Sequence, residues 1–144
     1  YESFNNGNER YLPQQLEHNP EIRTNEKNDT EWFGLSARKT DLEFDTEIYL
    51  IPLFGHTLGH CGVTFKENGK WTFYVGDAYY LRAEITDLNH PVDELATIRA
   101  VDNNLRKDSL KVVREIIKKH GQEIEYFGYH DPTEFQSNRE KANG

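Results

Sequence analysis

Apolar residues are sparse over the first thirty positions and dense afterwards. Residues 1 to about 30 are polar and weakly patterned, with Asn5-Asn6-Gly7-Asn8, Asn19-Pro20 and the run from Asn25 to Thr30. That pattern predicts an arm that packs on something else, with one short turn over residues 13–17. We divide the chain at 46/47 into a polar connecting segment (1–46) and a patterned unit (47–144). The apolar signal begins at Trp32-Phe33-Gly34-Leu35, and residues 47–53 (EIYLIPL) predict a buried strand ending at Pro52. A glycine-punctuated loop follows, Gly55-His56-Thr57-Leu58-Gly59-His60. Residues 61–66 and 70–75 read as two strands joined by Asn68-Gly69, a dipeptide that favours a type I′ turn because both central residues need positive φ. Val63 and Phe65 alternate on the first strand, and Trp71, Phe73 and Val75 on the second. Helices are predicted over residues 92–103 and 109–120. The second is capped by Asp108 or Ser109, striped by Leu110, Val113, Ile116 and Ile117, and stopped by Gly121. A short strand over 124–127 leads to Gly128-Tyr129-His130-Asp131. Strands, helices and a returning strand, with polar motifs at strand ends, predict an α/β layered fold.

Composition narrows the function. The chain has 144 residues, enough for one domain, and a formal charge of −8. An acidic chain repels phosphate backbones, so nucleic acid is not an expected partner. Arg106, Lys107, Lys111, Arg114, Lys118 and Lys119 cluster on the second predicted helix and read as a solvated face with cations toward its C-terminus. The hydrophobic share of 35% and a mean hydropathy of −0.87 are low for a self-contained domain, while 12% aromatics argue against disorder. No apolar run reaches the length of a membrane span. The chain has no Met and starts at Tyr1, which reads as a processed or truncated chain. A single cysteine, Cys61, excludes an internal disulfide and points to a reducing, cytoplasmic setting.

Three polar residues sit just past apolar strands and beside glycines: His56, Asp77 and His130. Two imidazoles and a carboxylate suit Zn²⁺ and related divalent metals. Each also has an ordinary reading, as a hydrogen-bonded loop histidine or a turn aspartate.

The surrounding words sharpen this. Residues 52–60 (PLFGHTLGH) resemble the P-x-x-GHTxGH segment of the metallo-β-lactamase superfamily. Tyr74-Val75-Gly76-Asp77-Ala78 resembles its GD strand end, and Phe127-Gly128-Tyr129-His130-Asp131 its last histidine motif, all in family order. The resemblance implies the C-terminal half of a four-layer αββα sandwich, a mixed β-sheet with helices on one face. It implies that His56 binds metal site 1, Asp77 bridges two divalent metals (Zn, with Fe or Mn as alternatives), and His130 binds site 2. An aspartate at position 77, where some true β-lactamases place a cysteine, implies a lactonase-like or glyoxalase II-like member. His60 is then expected to orient the loop or pack near the site. Asp131 or a backbone carbonyl would fix the imidazole tautomers, and Cys61 would be a small buried apolar residue. A tyrosine three residues past the aspartate contacts the substrate carbonyl in lactonase-like members, which makes Tyr80 catalytic; whether Tyr79 or Tyr80 faces the site stays open.

The superfamily's first metal motif, His-x-His-x-Asp-His, is absent; His18, His90 and His120 have no such neighbours. The implied activity is that of a hydrolase in which a hydroxide held by two metals attacks an ester, thioester or lactone carbonyl. The chain alone is expected to bind metal weakly, to be a poor hydrolase, and to seek either the N-terminal half of the fold or a second copy of itself. The alternative is a non-catalytic metal-binding or interaction module, a degenerate member or a split subunit. A nuclease of the same superfamily is disfavoured by the charge.

Overall fold

A computed structural model describes residues 13–25 and 27–134. Among the described residues, a 3₁₀ turn at Pro13–Leu16 is followed by six strands and two long helices. The strands are β1 (Thr30–Trp32), β2 (Leu35–Lys39), β3 (Ile48–Pro52), β4 (Cys61–Glu67), β5 (Lys70–Tyr74) and β6 (Ile124–Phe127). A 3₁₀ turn at Arg82–Ile85, α1 (Val92–Arg99) and α2 (Asn103–His120) lie between β5 and β6. The strands form one sheet in chain order, antiparallel except for the parallel β5–β6 pair. A parallel return needs a long crossover, and the two helices supply it. Among the described residues no helix is long and apolar enough to cross a membrane.

Two tight hairpins set the register. Asn68 (φ 50°) and Gly69 (φ 81°) turn β4 into β5, as the dipeptide predicts. Phe33 (φ 48°) and Gly34 (φ 78°) do the same between β1 and β2. The second hairpin is a correction to the sequence reading. Residues 30–39 pair with β3 through Arg38↔Leu50 and Lys39↔Tyr49, so the sheet crosses the 46/47 division. The Asn-rich stretch 5–8 lies outside the described residues.

One sheet face is covered. Trp32, Ala37, Ile51 and Phe73 pack under Leu110, Val113 and Ile116 of α2, with Ile124 completing the core. Trp32 meets Phe73 and Trp71 with ring centres 4.9 and 5.8 Å apart. The pairing Thr64↔Phe73 sets which β4 residues point inward, so Gly62 and Thr64 face the core. Thr64 is fully buried, and its hydroxyl donates to the Thr72 carbonyl at 2.8 Å. Val63 and Phe65 therefore stand on the opposite face from Phe73, and the two alternating sets do not share one core. With Ile48, Leu50, Tyr74 and Phe127 they form a second, half-buried apolar face outside the core cluster. The described residues thus supply one sheet layer and one helix layer.

The second helix also starts earlier than its pattern suggests. Asp102 caps it, accepting from the backbone N–H groups of Asn104 (2.9 Å) and Leu105 (3.0 Å). Ser109 lies inside the helix, with its hydroxyl donating to the Phe54 carbonyl at 2.7 Å. Arg106 is no solvated cation: it is 1% exposed and pairs with Asp93 at 2.5 Å. Arg114 donates to the Glu84 carbonyl at 2.8 Å.

Asp102→Ala should lower stability by about 1 kcal/mol, and Asp102→Asn by much less. The shift of the urea midpoint checks this; equal midpoints for the alanine variant and the parent would contradict the cap.

Candidate metal centre

Each of the three strand ends is fixed by a close backbone approach. Gly55 sits at φ 122°, and a Cβ there would lie 2.0 Å from the Arg106 backbone nitrogen. The start of α2 therefore rests directly on the His56 loop. The Asp102 N–H donates to the Gly55 carbonyl (3.0 Å), and the Val101 N–H donates to the His56 carbonyl (3.2 Å). Gly76 sits at φ 57°, and a Cβ there would lie 2.6 Å from His60 Nε2. The third end is tied by the Tyr129 N–H donating to the Gly76 carbonyl at 3.1 Å.

His60 joins the first two ends. Its Nδ1 is 2.6 Å from the Leu53 carbonyl, and its Nε2 accepts the Asp77 N–H at 3.0 Å. A carbonyl can only accept, so Nδ1 carries the proton and Nε2 offers its lone pair. The ring is therefore neutral, fixed in tautomer, and has both nitrogens engaged. It sets the position of Asp77 relative to the strand end before His56 and has no lone pair left over for an ion.

Asp77 lies between the other two histidines. His130 Nε2 is 2.8 Å from Asp77 Oδ1, and His56 Nε2 is 3.8 Å from Asp77 Oδ2. One carboxylate oxygen faces each imidazole. Two donors sharing an ion at bonds of about 2.0–2.2 Å stand about 3.4 Å apart, so both gaps are close to ligand spacing. Among the described residues no group of three or more His, Cys, Asp or Glu side chains forms a metal-holding cluster. The chain offers donor pairs centred on Asp77, which suits divalent metals but does not enclose one.

The two tyrosines have different surroundings. Tyr79 is 1% exposed, and its hydroxyl donates to Glu134 at 2.8 Å; burial first, then that hydrogen bond, pushes its pKa far up. Tyr80 is stacked on His130 with ring centres 4.7 Å apart and planes 2° from parallel. The His56 ring lies 6.3 Å from Tyr80. Together His56, Tyr80 and His130 line a cleft of about 480 Å³.

No family model matches the sequence. The chain is 27% identical over 137 residues to proteins of Mycobacterium bovis and Mycobacterium tuberculosis, each named "probable metallo-hydrolase". That similarity covers 92% of this chain but 44% of each relative, so the chain spans less than half of their length. Among solved structures, an N-acyl homoserine lactone hydrolase with its product N-hexanoyl-L-homoserine at the catalytic metal centre superposes with a TM-score of 0.50 at 19% identity, covering 69% of this chain and 36% of that one. A B. thuringiensis AiiA variant with N-decanoyl-L-homoserine at its active site gives a TM-score of 0.50 at 20% identity over the same shares. Over the matched stretch the chain has the α/β fold of these lactonases, one part of a metallo-β-lactamase sandwich.

Within that fold, the sequence reading missed the groups that hold the site in shape. Glu84 is fully buried and accepts the N–H groups of Tyr80 (2.7 Å) and Leu81 (2.9 Å) with one oxygen. Glu134 accepts from Tyr79, from Arg82 (2.7 Å) and from the Gly128 N–H (2.8 Å). One signal was legible. Asp131-Pro132-Thr133-Glu134 is a helix-start pattern, with a capping aspartate, proline at the first position and glutamate at the third. Asp131 plays that capping part. It accepts from the Thr133 N–H (2.9 Å), the Thr133 hydroxyl (2.6 Å) and the Arg82 N–H (2.9 Å). Its carboxylate is thus taken up by Arg82 and Thr133 rather than by an imidazole, which corrects its expected tautomer-fixing role. Cys61, half-buried at the start of β4, donates to the Gly59 carbonyl at 3.6 Å, and burial pushes its thiol pKa up despite Arg38 nearby.

Burial opposes ionisation of Asp131, but the Thr133 and backbone hydrogen bonds outweigh it and hold the carboxyl below its usual value. A lowered folded-state pKa stabilises above the unfolded value and is lost as pH falls through the folded one. The stability gap between the parent and Asp131→Asn should therefore be full at neutral pH and shrink below about pH 4. Urea melts at three pH values read this; a gap that widens in acid would contradict it.

Proposed function

We propose that the chain is the C-terminal part of a metal-dependent hydrolase acting on an ester, thioester or lactone carbonyl. One observation carries the reading: Asp77 offers one carboxylate oxygen to the side of His56 and the other to the side of His130. That arrangement supports a carboxylate shared between two divalent ions, with His56 Nε2 on one side and His130 Nε2 on the other. Zinc suits the imidazole and carboxylate donors; iron and manganese take the same ligands. Bound divalent ions supply Lewis-acid polarisation and make water a nucleophile at neutral pH.

The chain's own residues do the rest. The Asp77 backbone N–H is held by His60, which fixes the loop that carries the carboxylate. Tyr80, stacked flat on His130, brings a hydroxyl donor to the cleft where a substrate oxygen would gather charge. The metallo-hydrolase names of the relatives and the homoserine product at the metal centre of a fold neighbour support this substrate class. The remaining ligands would come from an N-terminal half of the sandwich, which would cover the apolar face of Ile48, Leu50, Val63 and Phe65. We place the reaction in the cytoplasm, in keeping with the single free thiol.

In the full-length protein, Asp77→Ala should cut hydrolysis of a thioester or lactone by at least about 100-fold and lower bound metal. Tyr80→Phe should keep the metal and lower kcat by about 10-fold. The 144-residue chain alone should turn over far more slowly than the full-length protein. Unchanged turnover and metal content in Asp77→Ala would overturn the reading.

A further inference from the structure

The end of the sheet away from the donors carries two charged patches of opposite sign. Residues 41–45 (DLEFD), in the connection from β2 to β3, alternate acid and apolar. The base of this connection is pinned. The Thr40 N–H donates to the Ile48 carbonyl at 3.0 Å, and the Thr46 hydroxyl donates to the Lys66 carbonyl at 2.8 Å. Its crown is open: Leu42 and Phe44 are 56% and 55% exposed and lie outside the core. Leu42 lines two clefts, of about 580 and 250 Å³, and Phe44 lines the smaller. A single exposed leucine is ordinary, but two large apolar side chains set between three acids make a patch. Among the described residues Asp41, Glu43 and Asp45 take part in no ion pair.

α2 brings the opposite sign to the same end. It starts against Gly55, beside the donors, and its last turn carries Lys118 and Lys119, both exposed and in no ion pair among the described residues. Just past that turn the Glu123 carbonyl accepts the Trp71 N–H at 3.3 Å, so the helix ends beside the start of β5. Trp71 is the cross-strand partner of Lys66, whose carbonyl holds Thr46. The acidic loop and the basic turn therefore share one end of the sheet. From β3 to β6 is three strand spacings, about 14 Å, too far for the two patches to pair within one chain. The neighbouring Lys39, Lys70 and His120 already have Glu47, Glu125 and Glu123 as partners.

We propose that this end is the contact between two copies of the chain related by a two-fold axis. Leu42 and Phe44 of both copies pack together at the axis, and Asp41, Glu43 and Asp45 reach Lys118 and Lys119 of the partner subunit. A two-fold axis repeats each acid-to-lysine contact, so the same pair of patches serves both chains. An apolar centre with a charged rim is the usual anatomy of a specific contact. Copies of a chain with net charge −8 repel one another over most of their surface, so the pairing of opposite patches decides which faces meet. The contact is small and its charges are exposed, which makes the dimer weak and salt-sensitive. It lies at the far end from His56, Asp77 and His130 and leaves the cleft beside them open in both copies. It is independent of the hydrolase reading, and it leaves the half-buried sheet face of Val63 and Phe65 unused.

Sedimentation equilibrium of the 144-residue chain tests this. The parent should dimerise at low salt and dissociate in salt of about 1 M, where charges are screened within about 3 Å. Two reversal variants carry the specific test: Glu43→Lys with Asp45→Lys, and Lys118→Glu with Lys119→Glu. Each should raise the dimer Kd at least about 10-fold, because each sets like charges opposite one another. An equimolar mixture of the two should dimerise again, since every loop then faces a helix end of opposite sign. All four positions are exposed, and an unchanged circular dichroism spectrum shows that the variants fold. The salt response of the parent needs no variant, and association that strengthens in salt would overturn the proposal. So would a monomeric parent, a mixture of the variants that stays monomeric, or a dimer indifferent to both reversals, as one formed through the face of Val63 and Phe65 would be.

Discussion

The site depends on one neutral imidazole. His60 donates to the Leu53 carbonyl on one strand end and accepts the Asp77 N–H from another, across 17 residues of chain. Neither partner can be exchanged for water without freeing an end of the sheet. The geometry is narrow enough that position 76 must be glycine, because a Cβ would meet the His60 ring. The same bridge spends both nitrogens of His60, so the second histidine of the loop holds Asp77 in place and has no lone pair left for an ion. By holding the Asp77 backbone, the bridge keeps this residue between His56 and His130, as the ligand set we propose would require.

Around that bridge, buried charges act as fasteners. Glu84 gathers the N–H groups of Tyr80 and Leu81, Glu134 gathers Tyr79, Arg82 and Gly128, and Asp131 gathers Arg82 and Thr133. The Glu134 and Asp131 contacts tie the segment after β5 to the segment after β6, where Tyr80 and His130 stack. Arg106 does comparable work on the other side, joining α2 to Asp93 where the helix rests on Gly55. A low-dielectric setting makes such paired groups rigid and makes the loss of one partner costly.

Much of this was legible in the sequence because the signals are local. The Asn68-Gly69 turn, the strand ending at Pro52 and the stripe on α2 each depend on neighbouring residues, and the glycine-histidine words place His56, Asp77 and His130 at strand ends. The failures share a cause of the opposite kind. The register opposite Phe73 turns Thr64 inward, where its hydroxyl is satisfied by the Thr72 carbonyl, so the apolar alternation of Val63 and Phe65 marks the outer face instead. The β1–β2 turn uses Phe33-Gly34, which lacks the Asn or Asp that announces a type I′ turn. Ser109 resembles a cap but bonds Phe54, 55 residues away, and Asp102 holds the true cap. Glu134 and Arg106 look like solvent-facing charges until their distant partners are known, and Glu84 looks so because no Ser, Thr, Asn or Asp at position 81 announces the turn it closes. Asp131 is recognisable as a cap, yet its capping excludes the imidazole contact that its place beside His130 suggests.

The central claim is that His56 and His130 are donors held in place by a His60 that is not. Nitrogen NMR of the histidine side chains during zinc titration reads this directly. The account predicts that the Nε2 signals of His56 and His130 move on zinc addition, while His60 keeps a protonated Nδ1 and an unmetallated Nε2 throughout. Zinc-dependent loss of the His60 pattern, or His56 and His130 signals indifferent to zinc, would contradict it.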